Sequence, residues 1–233
     1  MKKLFNSVIK NIVYLILIMI FTNSFVNAQD KTEPKQKYKL FSSIGVFAGA
    51  DLSFLTGDAP KDASYSGKPG FLAGLSVEFN LNKDIKILLQ PNYSLRNTKV
   101  LYDVGDPELR DSLLVKFNYF RVPVVVKINA FNGVTYFLSG LDFGYLLNSK
   151  LSKTDIPSEE TDISYLVNSF DLSAVFGFGV NFNIKSNSLY LELRYSQGLL
   201  NMSNNDVNKF DSYLPTRFRL AGLQLLTGFN FNL

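Results

Sequence analysis

The sequence predicts an all-β protein, an eight-stranded antiparallel up-and-down transmembrane β-barrel of the outer-membrane type. Apolar and polar residues alternate with a period of two almost throughout, and no segment after the N-terminus keeps a helical period. The alternating segments number eight, and short and long connections follow one another between them without exception. Because the strands of such a barrel run up and down, we expect short periplasmic turns at one end and long extracellular loops at the other.

The N-terminus has the features of a signal peptide. Lys2, Lys3 and Lys10 precede an apolar run over 12–21, and Val-Asn-Ala at 26–28 is a small-x-small cleavage pattern. The apolar run of about ten residues is shorter than the roughly 20 that a membrane-spanning helix needs. We therefore expect export through a cleaved signal peptide to the bacterial outer membrane.

This leader sets the predicted domain boundaries and changes the charge. The predicted segments are a signal peptide at 1–28, a flexible periplasmic lead-in at 29–39 and the outer-membrane barrel domain at 40–233. Removal of the three leader lysines reduces 24 basic residues to 21 against 20 acidic residues, a net charge of about +1. A nearly neutral mature chain argues against a nucleic-acid partner.

The alternation also gives the order of strands and connections. The strands are predicted at 40–54, 70–82, 84–100, 112–129, 133–149, 168–185, 188–200 and 216–233. The short turns are predicted at 82–83, 129–133 and 185–188, and the long polar loops at 56–70, 101–111, 150–167 and 201–215. Several strands exceed twelve residues, whereas strands of soluble proteins are usually about five or six residues long. This length favours a membrane barrel whose wall extends beyond the hydrocarbon.

One face of each strand is assigned to lipid and the other to the lumen. In SLYLELRYS at 188–196, leucines at every second position face acyl chains, and Glu192 and Arg194 face the interior. The same rule places Pro123 of the fourth strand inside, where we expect a bulge or a weakened pairing because proline cannot donate to the ladder. Candidates for interfacial aromatic girdles are Phe229, Phe231, Tyr145 and Tyr195.

Charged residues on the inward faces form the candidate site. They are Glu78, Lys86, Arg121, Asp142, Glu192 and Arg194, with Gln224 as a neutral neighbour. The interior of an eight-stranded barrel is only wide enough for its own side chains, so buried charges there must pair. We expect a structural ion-pair network, and a proton or ion path is the alternative for the same residues.

The chain contains no histidine and no cysteine. Its own side chains therefore cannot form a Ser-His-Asp triad, a cysteine nucleophile or a His/Cys zinc site. No catalytic, cofactor-binding or metal-ligating residue is predicted, and we expect a protein that is not an enzyme. The glycines of GLDFG at 140–144 and GFGVNF at 177–182 are predicted to pack a narrow lumen, because neither segment opens a helix as a phosphate loop does.

Seven segments of the mature chain carry a family resemblance. In order, they are GVFAGADLSFL, GFLAGLSVEFNL, ILLQPNYSLRNTK, YFRVPVVVKI, GLDFGYLLNSK, DLSAVFGFGVNF and LYLELRYSQGLLNM. They resemble the PorT-like outer-membrane β-barrel proteins, a family found chiefly in Bacteroidota. The resemblance covers essentially the whole mature chain and implies the barrel fold. It implies little about function, because the family's named member assists protein secretion across the outer membrane while most relatives have no assigned role. The resemblance brings no set of functional residues.

We expect a non-enzymatic outer-membrane protein with a structural or interaction role in the cell envelope. Its expected partners are outer-membrane lipid, lipopolysaccharide and, as the resemblance implies, secretion or envelope-assembly proteins. Predicted loop residues available for contacts are Tyr65, Asp103, Asp106, Glu108, Asp155, Glu159, Glu160, Asp162, Asp206 and Tyr213. The acidic pair at 159–160 is a candidate for a divalent cation shared with lipopolysaccharide phosphates.

Three alternative functions stay open at this point. The first is a small pore, which a filled eight-stranded lumen disfavours. The second is a secreted lipocalin-like ligand-binding barrel, which also has eight up-and-down strands but shorter ones. The third is a lipid-modifying barrel enzyme, which would need Asp, Glu or Lys as its general base because histidine is absent.

Overall fold

The chain forms a ring of antiparallel strands in the computed structural model, which describes residues 39–57, 63–102, 112–153, 160–204 and 217–233. The strands are β1 (Phe41–Gly57), β2 (Ala63–Asn80), β3 (Ile85–Leu89), β4 (Asn92–Tyr102), β5 (Ser112–Ala130), β6 (Thr135–Lys153), β7 (Glu160–Asp162), β8 (Phe170–Ile184), β9 (Asn187–Gly198) and β10 (Phe218–Asn232). Two short 3-10 helices are η1 (Phe131–Gly133) and η2 (Ser164–Leu166). Within these ranges no helix is long and apolar enough to cross a membrane.

The ring closes because the last strand pairs with the first. β1 and β10 stay in register from Ser43 opposite Asn232 to Gly57 opposite Phe218. The order around the ring is β1, β2, then β3 with β4, β5, β6, β8, β9 and β10, and the neighbours are antiparallel. Because β3 and β4 follow one another along one line of the wall, the ring has eight strand positions. The predicted eight-stranded barrel is confirmed.

The third strand position is divided at Gln90 and Pro91. Pro91 has no N–H to donate, and the Gln90 N–H donates to the carbonyl oxygen of Pro123 on β5 at 3.1 Å. The interruption therefore lies opposite Pro123, where a weakened pairing is predicted. The register shift on β5 lies between Asn118 and Tyr119 instead, so the predicted alternative of a bulge at Pro123 is wrong.

The first predicted loop is too long, because β1 continues to Gly57 and β2 already begins at Ala63. These strand ends extend beyond the apolar belt, where outward positions meet water and need no apolar residue, so the period of two fades from the sequence. Tyr65 accordingly lies in β2, packed against a buried apolar cluster, and its prediction as a loop contact residue is wrong.

The three short connections all lie at one end of the barrel, as predicted. In the first, the side-chain oxygen of Asn82 accepts hydrogen bonds from the backbone N–H groups of Asp84 and Ile85 at 2.9 and 2.8 Å. The second contains Asn132, and the third contains Lys185, with φ of 58° and 55°. A left-handed residue lets the chain reverse within so few residues.

The outward and inward faces also follow the predicted alternation. Outward side chains with 38 to 62% exposure include Phe71, Leu75, Phe120, Val124, Val126, Ile128, Phe137, Phe176, Phe178, Phe182, Leu189, Leu191, Leu223 and Leu225. The intervening residues of the same strands are buried or small. An aliphatic and aromatic wall around a polar interior is the arrangement that lipid requires.

Aromatic residues line both edges of this wall. On the loop side, Tyr93, Phe120, Tyr145 and Phe170 are in register across β4, β5, β6 and β8, and each is at least 41% exposed. On the turn side, the rings of Phe229 and Phe231 meet edge to face at 5.0 Å. Rows of this kind are typical of a membrane–water interface.

Several predictions fall outside the described residues. These are the signal peptide at 1–28, the lead-in at 29–38, residues 58–62, 103–111, 154–159 and 205–216 of the predicted long loops, and the predicted contact residues Asp103, Asp106, Glu108, Asp155, Glu159, Asp206 and Tyr213. The predicted loop at 150–167 is too long, because β6 continues to Lys153 and β7 and η2 lie within 160–166. The predicted loop residues Glu160 and Asp162 therefore lie in a strand. The rest of the predicted strand order is observed.

Candidate functional site

The inward face of the barrel carries equal numbers of acidic and basic side chains among the described residues. The five acids are Asp51, Glu78, Asp142, Asp171 and Glu192, and the five bases are Lys86, Arg96, Arg121, Lys127 and Arg194. Every one of them lies within 4.0 Å of an opposite charge. Pairing offsets the loss of hydration that burial imposes on each ion.

A basal cluster lies near the turn end of the barrel. Both oxygens of the Glu78 carboxylate are used, one by Lys86 Nζ at 2.9 Å and the other by Lys127 Nζ at 2.7 Å. The amide of Asn230 on β10 also donates to this carboxylate at 3.3 Å. Strands β2, β3, β5 and β10 are thereby linked through one acidic side chain.

A middle cluster lies above the basal one. Arg194 contacts Glu192, two residues before it on β9, and also donates to the side-chain oxygen of Gln90. The hydroxyl of Tyr136 on β6 donates to Glu192 at 2.9 Å. Gly179 on β8 lies opposite Tyr136, and a β-carbon there would come within 2.3 Å of the tyrosine ring, so glycine makes room for the ring across the lumen.

An upper cluster joins three strands through Arg121 on β5. Its Nε donates to Asp142 on β6 at 2.7 Å, and its Nη1 donates to Asp171 on β8 at 2.8 Å. The register lets the Arg121 side chain reach Asp171 on β8, because Gly144 on β6 lies opposite both residues. With no side chain at Gly144, the guanidinium crosses β6 to the next strand.

A fourth pair, Asp51 on β1 and Arg96 on β4, lies at 3.5 Å on the opposite side of the interior. Gln224 on β10 donates to the Asp51 carboxylate at 2.8 Å, which gives this predicted neutral neighbour a defined partner. Arg96 is fully buried and also donates to the hydroxyl of Ser196 at 3.3 Å.

The six predicted site residues lie in three separate clusters. Glu78 contacts Lys86, Arg121 contacts Asp142, and Glu192 contacts Arg194. The predicted site omits Lys127 and Asp171, which are second partners of Glu78 and Arg121, and it omits the separate pair of Asp51 and Arg96. The alternation places all four inside. Each lies an even number of positions from a predicted inward residue, or from a buried residue, of the same strand.

The loop end of the interior is closed by a loop-side apolar cluster. Its buried residues are Leu55, Val100, Val115, Phe117, Tyr119, Leu146, Ile163, Leu166, Val167, Met202, Phe218 and Leu220. The chain from Ile163 to Val167, around η2, and Met202 after β9 bring side chains in from the connections. Along β5 the order is Phe117, Arg121 and Lys127, so the apolar cluster lies above the ionic ones.

Outside the wall, Glu160 of β7 bridges two lysines at the loop-side rim. One carboxylate oxygen lies 2.6 Å from Lys116 Nζ on β5, and the other lies 2.7 Å from Lys150 Nζ on β6. Hydrogen bonds from Lys116 and Lys150 lower the pKa of the Glu160 carboxyl to about 2. Glu160 therefore has two lysine partners. Glu159 lies outside the described residues, so a cation at the acidic pair 159–160 stays a prediction.

A family model described as "Outer membrane protein beta-barrel domain" matches residues 27–204, which is more than half of the chain. The chain belongs to this outer-membrane β-barrel family. Membership assigns it to the bacterial outer membrane, with hydrocarbon around its wall, so the secreted lipocalin-like alternative does not apply. The residues matched include the strands that carry all six predicted luminal charges.

Three solved structures are similar to this chain. Neisserial surface protein A (NspA) has 12% identity and a TM-score of 0.41, over 82% of this chain and 97% of that chain. Ail of Yersinia pestis has 15% identity and a TM-score of 0.38, over 82% of this chain and 99% of that chain. OprG from Pseudomonas aeruginosa has 12% identity and a TM-score of 0.46, over 83% of this chain and 95% of that chain. No curated protein matches the chain by sequence.

Proposed function

We propose that this family member is a non-enzymatic barrel with a structural or interaction role in the cell envelope, acting through its outer surfaces and not through its lumen. The filled interior carries the proposal. Ten paired charges occupy it, and the loop-side apolar cluster covers them. Charges that are already neutralised by neighbours are poorly suited to carry an ion or a proton, because each would first have to lose its partner.

The PorT-like resemblance suggests a more specific role, in which the barrel assists protein secretion or envelope assembly. Such a role needs contacts with other proteins at the water-exposed ends. At the turn end, Phe131 is 81% exposed at the tip of a connection, and at the loop end Tyr165 of η2 is 56% exposed. Exposed aromatic residues at such positions are suited to protein contacts.

Site-specific photocrosslinking in intact outer membranes tests this role. A photoreactive amino acid would replace Phe131 at the turn end or Tyr165 at the loop end, and crosslinked proteins would be identified by mass spectrometry. We expect at least one end to yield a discrete protein adduct belonging to a secretion or envelope-assembly complex. The matched control is Phe178, a lipid-facing residue of β8 that is 55% exposed.

The controls separate a specific partner from crowding. The Phe178 position should yield lipid adducts, or proteins in proportion to their abundance. If both ends gave the same products as Phe178, the interaction role would be wrong, and a structural role alone would remain. Recovery of the same adduct after moderate overexpression of an unrelated barrel would exclude an abundance effect.

A further inference from the structure

A cavity of ≈ 460 Å³ lies at the loop-side rim where β1, β9 and β10 meet. It is lined by Thr56, Gly57, Gln197, Asn201, Arg217, Phe218 and Arg219. Two arginines, two amides and a hydroxyl thus surround one space, and no carboxylate of the described residues contributes to its lining. Arginine presents a fork of N–H donors that matches an oxyanion such as phosphate.

The two arginines differ from the arginines inside the barrel. Arg96, Arg121 and Arg194 each lie within 4.0 Å of an acidic side chain. Arg217 and Arg219 are exposed, and no carboxylate of the described residues lies within that distance of either. An anion from outside the described residues can therefore supply the opposite charge for Arg217 and Arg219.

The position of the cavity on the wall indicates the source of that charge. Below it, Leu52, Leu223 and Tyr195 are in register on β1, β10 and β9, and each is at least 40% exposed. The Tyr195 hydroxyl donates to the side chain of Gln197, which lines the cavity, at 2.7 Å. A tyrosine with its ring beside aliphatic residues and its hydroxyl on the polar side is typical of the membrane interface.

The height above this row matches a lipid headgroup. Arg219 is four residues beyond Leu223 on β10, about 13 Å along the strand. With a strand tilt of about 40°, this is roughly 10 Å along the membrane normal. The headgroup region extends about 5–8 Å beyond the hydrocarbon on each side. The backbone of Arg219 therefore lies just above this region, and its long side chain can reach down to the headgroups.

The rim elsewhere shows the same preference for oxyanions. Lys116 and Lys150 lie directly opposite one another on β5 and β6, which is unfavourable for like charges unless an anion joins them. The Glu160 carboxylate joins them at 2.6 and 2.7 Å. At Arg217 and Arg219 no such internal carboxylate is described.

We propose that the cavity lined by Arg217 and Arg219 binds a phosphate group of an outer-leaflet glycolipid, lipid A being the phosphate-bearing lipid to test. The guanidinium groups would hold the phosphate, and the apolar row at Leu52, Leu223 and Tyr195 would contact the acyl chains below it. This site lies on the outer wall, so it goes beyond the proposed envelope role and stands or falls separately from it.

Binding of purified lipid A to the refolded full-length mature chain in detergent micelles tests the site. Native mass spectrometry would compare diphosphorylated lipid A with the same lipid after removal of its phosphates. We expect the wild type to bind the phosphorylated form more tightly. The double variant Arg217→Gln with Arg219→Gln should bind it roughly 20- to 30-fold more weakly, since each surface cation near an anionic lipid contributes about a factor of five.

The matched control is Lys83→Gln with Lys185→Gln, which removes two exposed cations from the turn end. This variant should bind lipid A as the wild type does. The proposal is overturned if the control weakens binding as much as the arginine variant, or if the wild type does not distinguish the two lipids. It is also overturned if inorganic phosphate displaces the lipid at comparable concentration, because the occupant would then be a free anion.

Discussion

Arg121 joins three strands through one luminal side chain, because it donates to two carboxylates from two other strands. Its guanidinium also lies 5.2 Å from the centre of the Tyr119 ring, directly beneath the loop-side apolar cluster. Removal of the arginine would leave Asp142 and Asp171 buried without a cation. Breaking a buried ion pair costs much more than replacing the whole group by apolar residues, since the remaining ion keeps its desolvation cost.

We expect Arg121→Met to destabilise the barrel by about 3–5 kcal/mol, because two buried carboxylates lose their partner. Urea-dependent unfolding in lipid vesicles, followed by circular dichroism, measures the change. The triple variant Arg121→Met, Asp142→Asn and Asp171→Asn should recover most of that loss, since no charge stays buried alone. A triple variant as unstable as the single variant would show that the arginine acts through its shape and not its charge.

For individual residues, the sequence predicted which side of the wall a side chain faces better than it predicted which side chains are in contact. Glu192 and Arg194 are two positions apart on one strand, so alternation placed them together, and they are in contact. Asp171 and Arg121 are fifty positions apart, and their contact depends on the stagger of β5, β6 and β8 and on Gly144 between them. Stagger is a property of the closed ring, which no single strand encodes.

Strands are easiest to predict from the sequence where they cross the membrane. Between the two aromatic rows, lipid demands an apolar residue at every second position, and the predicted strands there match the observed ones. Beyond the loop-side row that demand ends, so the first part of β2 and the three-residue β7 left no periodic signal. β7 pairs with the edge of β6, and its Glu160 also contacts Lys116 on β5. Glu160 and Lys116 are distant in sequence, so no local pattern indicates this contact.

This docking of β7 should depend on pH through Glu160. The pKa of its carboxyl is about 2 in the folded chain and 4.5 ordinarily, so the ionised form is favoured on folding. The stabilisation is therefore fully present above about pH 4.5 and is lost as the pH falls towards 2. Backbone hydrogen exchange in β7, corrected for intrinsic rates, should show constant protection from pH 7 to about 4.5 and a decline below.

The variant Glu160→Gln should show weak protection of β7 at every pH, because a neutral amide does not hold two ammonium groups. Asp84→Asn at the turn end is the matched control and should keep the wild-type profile. A Glu160→Gln variant with full protection at neutral pH would mean that the backbone pairing of β7 with β6 suffices without the lysines.

As a whole, the barrel interior is a stack of layers that differ in chemistry. From the turn end upward, the basal cluster, the middle cluster and the upper cluster with the Asp51–Arg96 pair carry the charges, with two smaller buried apolar clusters among them. The loop-side apolar cluster follows. With five acids and five bases on the inward face, the described lumen is electrically neutral. The sequence predicted a filled lumen from the number of strands alone. It did not predict the order of the clusters, because that order depends on the stagger of the strands in the closed ring.

We expect the folded barrel to show no sustained conductance in planar lipid bilayers, because the layers occlude the lumen independently. Phe117→Ala with Met202→Ala would thin only the apolar cluster and should leave the barrel closed, since three layers of paired side chains lie below. Conductance should appear only when a second layer is also reduced, for example by adding Glu192→Ala with Arg194→Ala. A large porin reconstituted in parallel verifies detection, and stable conducting steps from the wild type would contradict the closed lumen and restore the small-pore alternative.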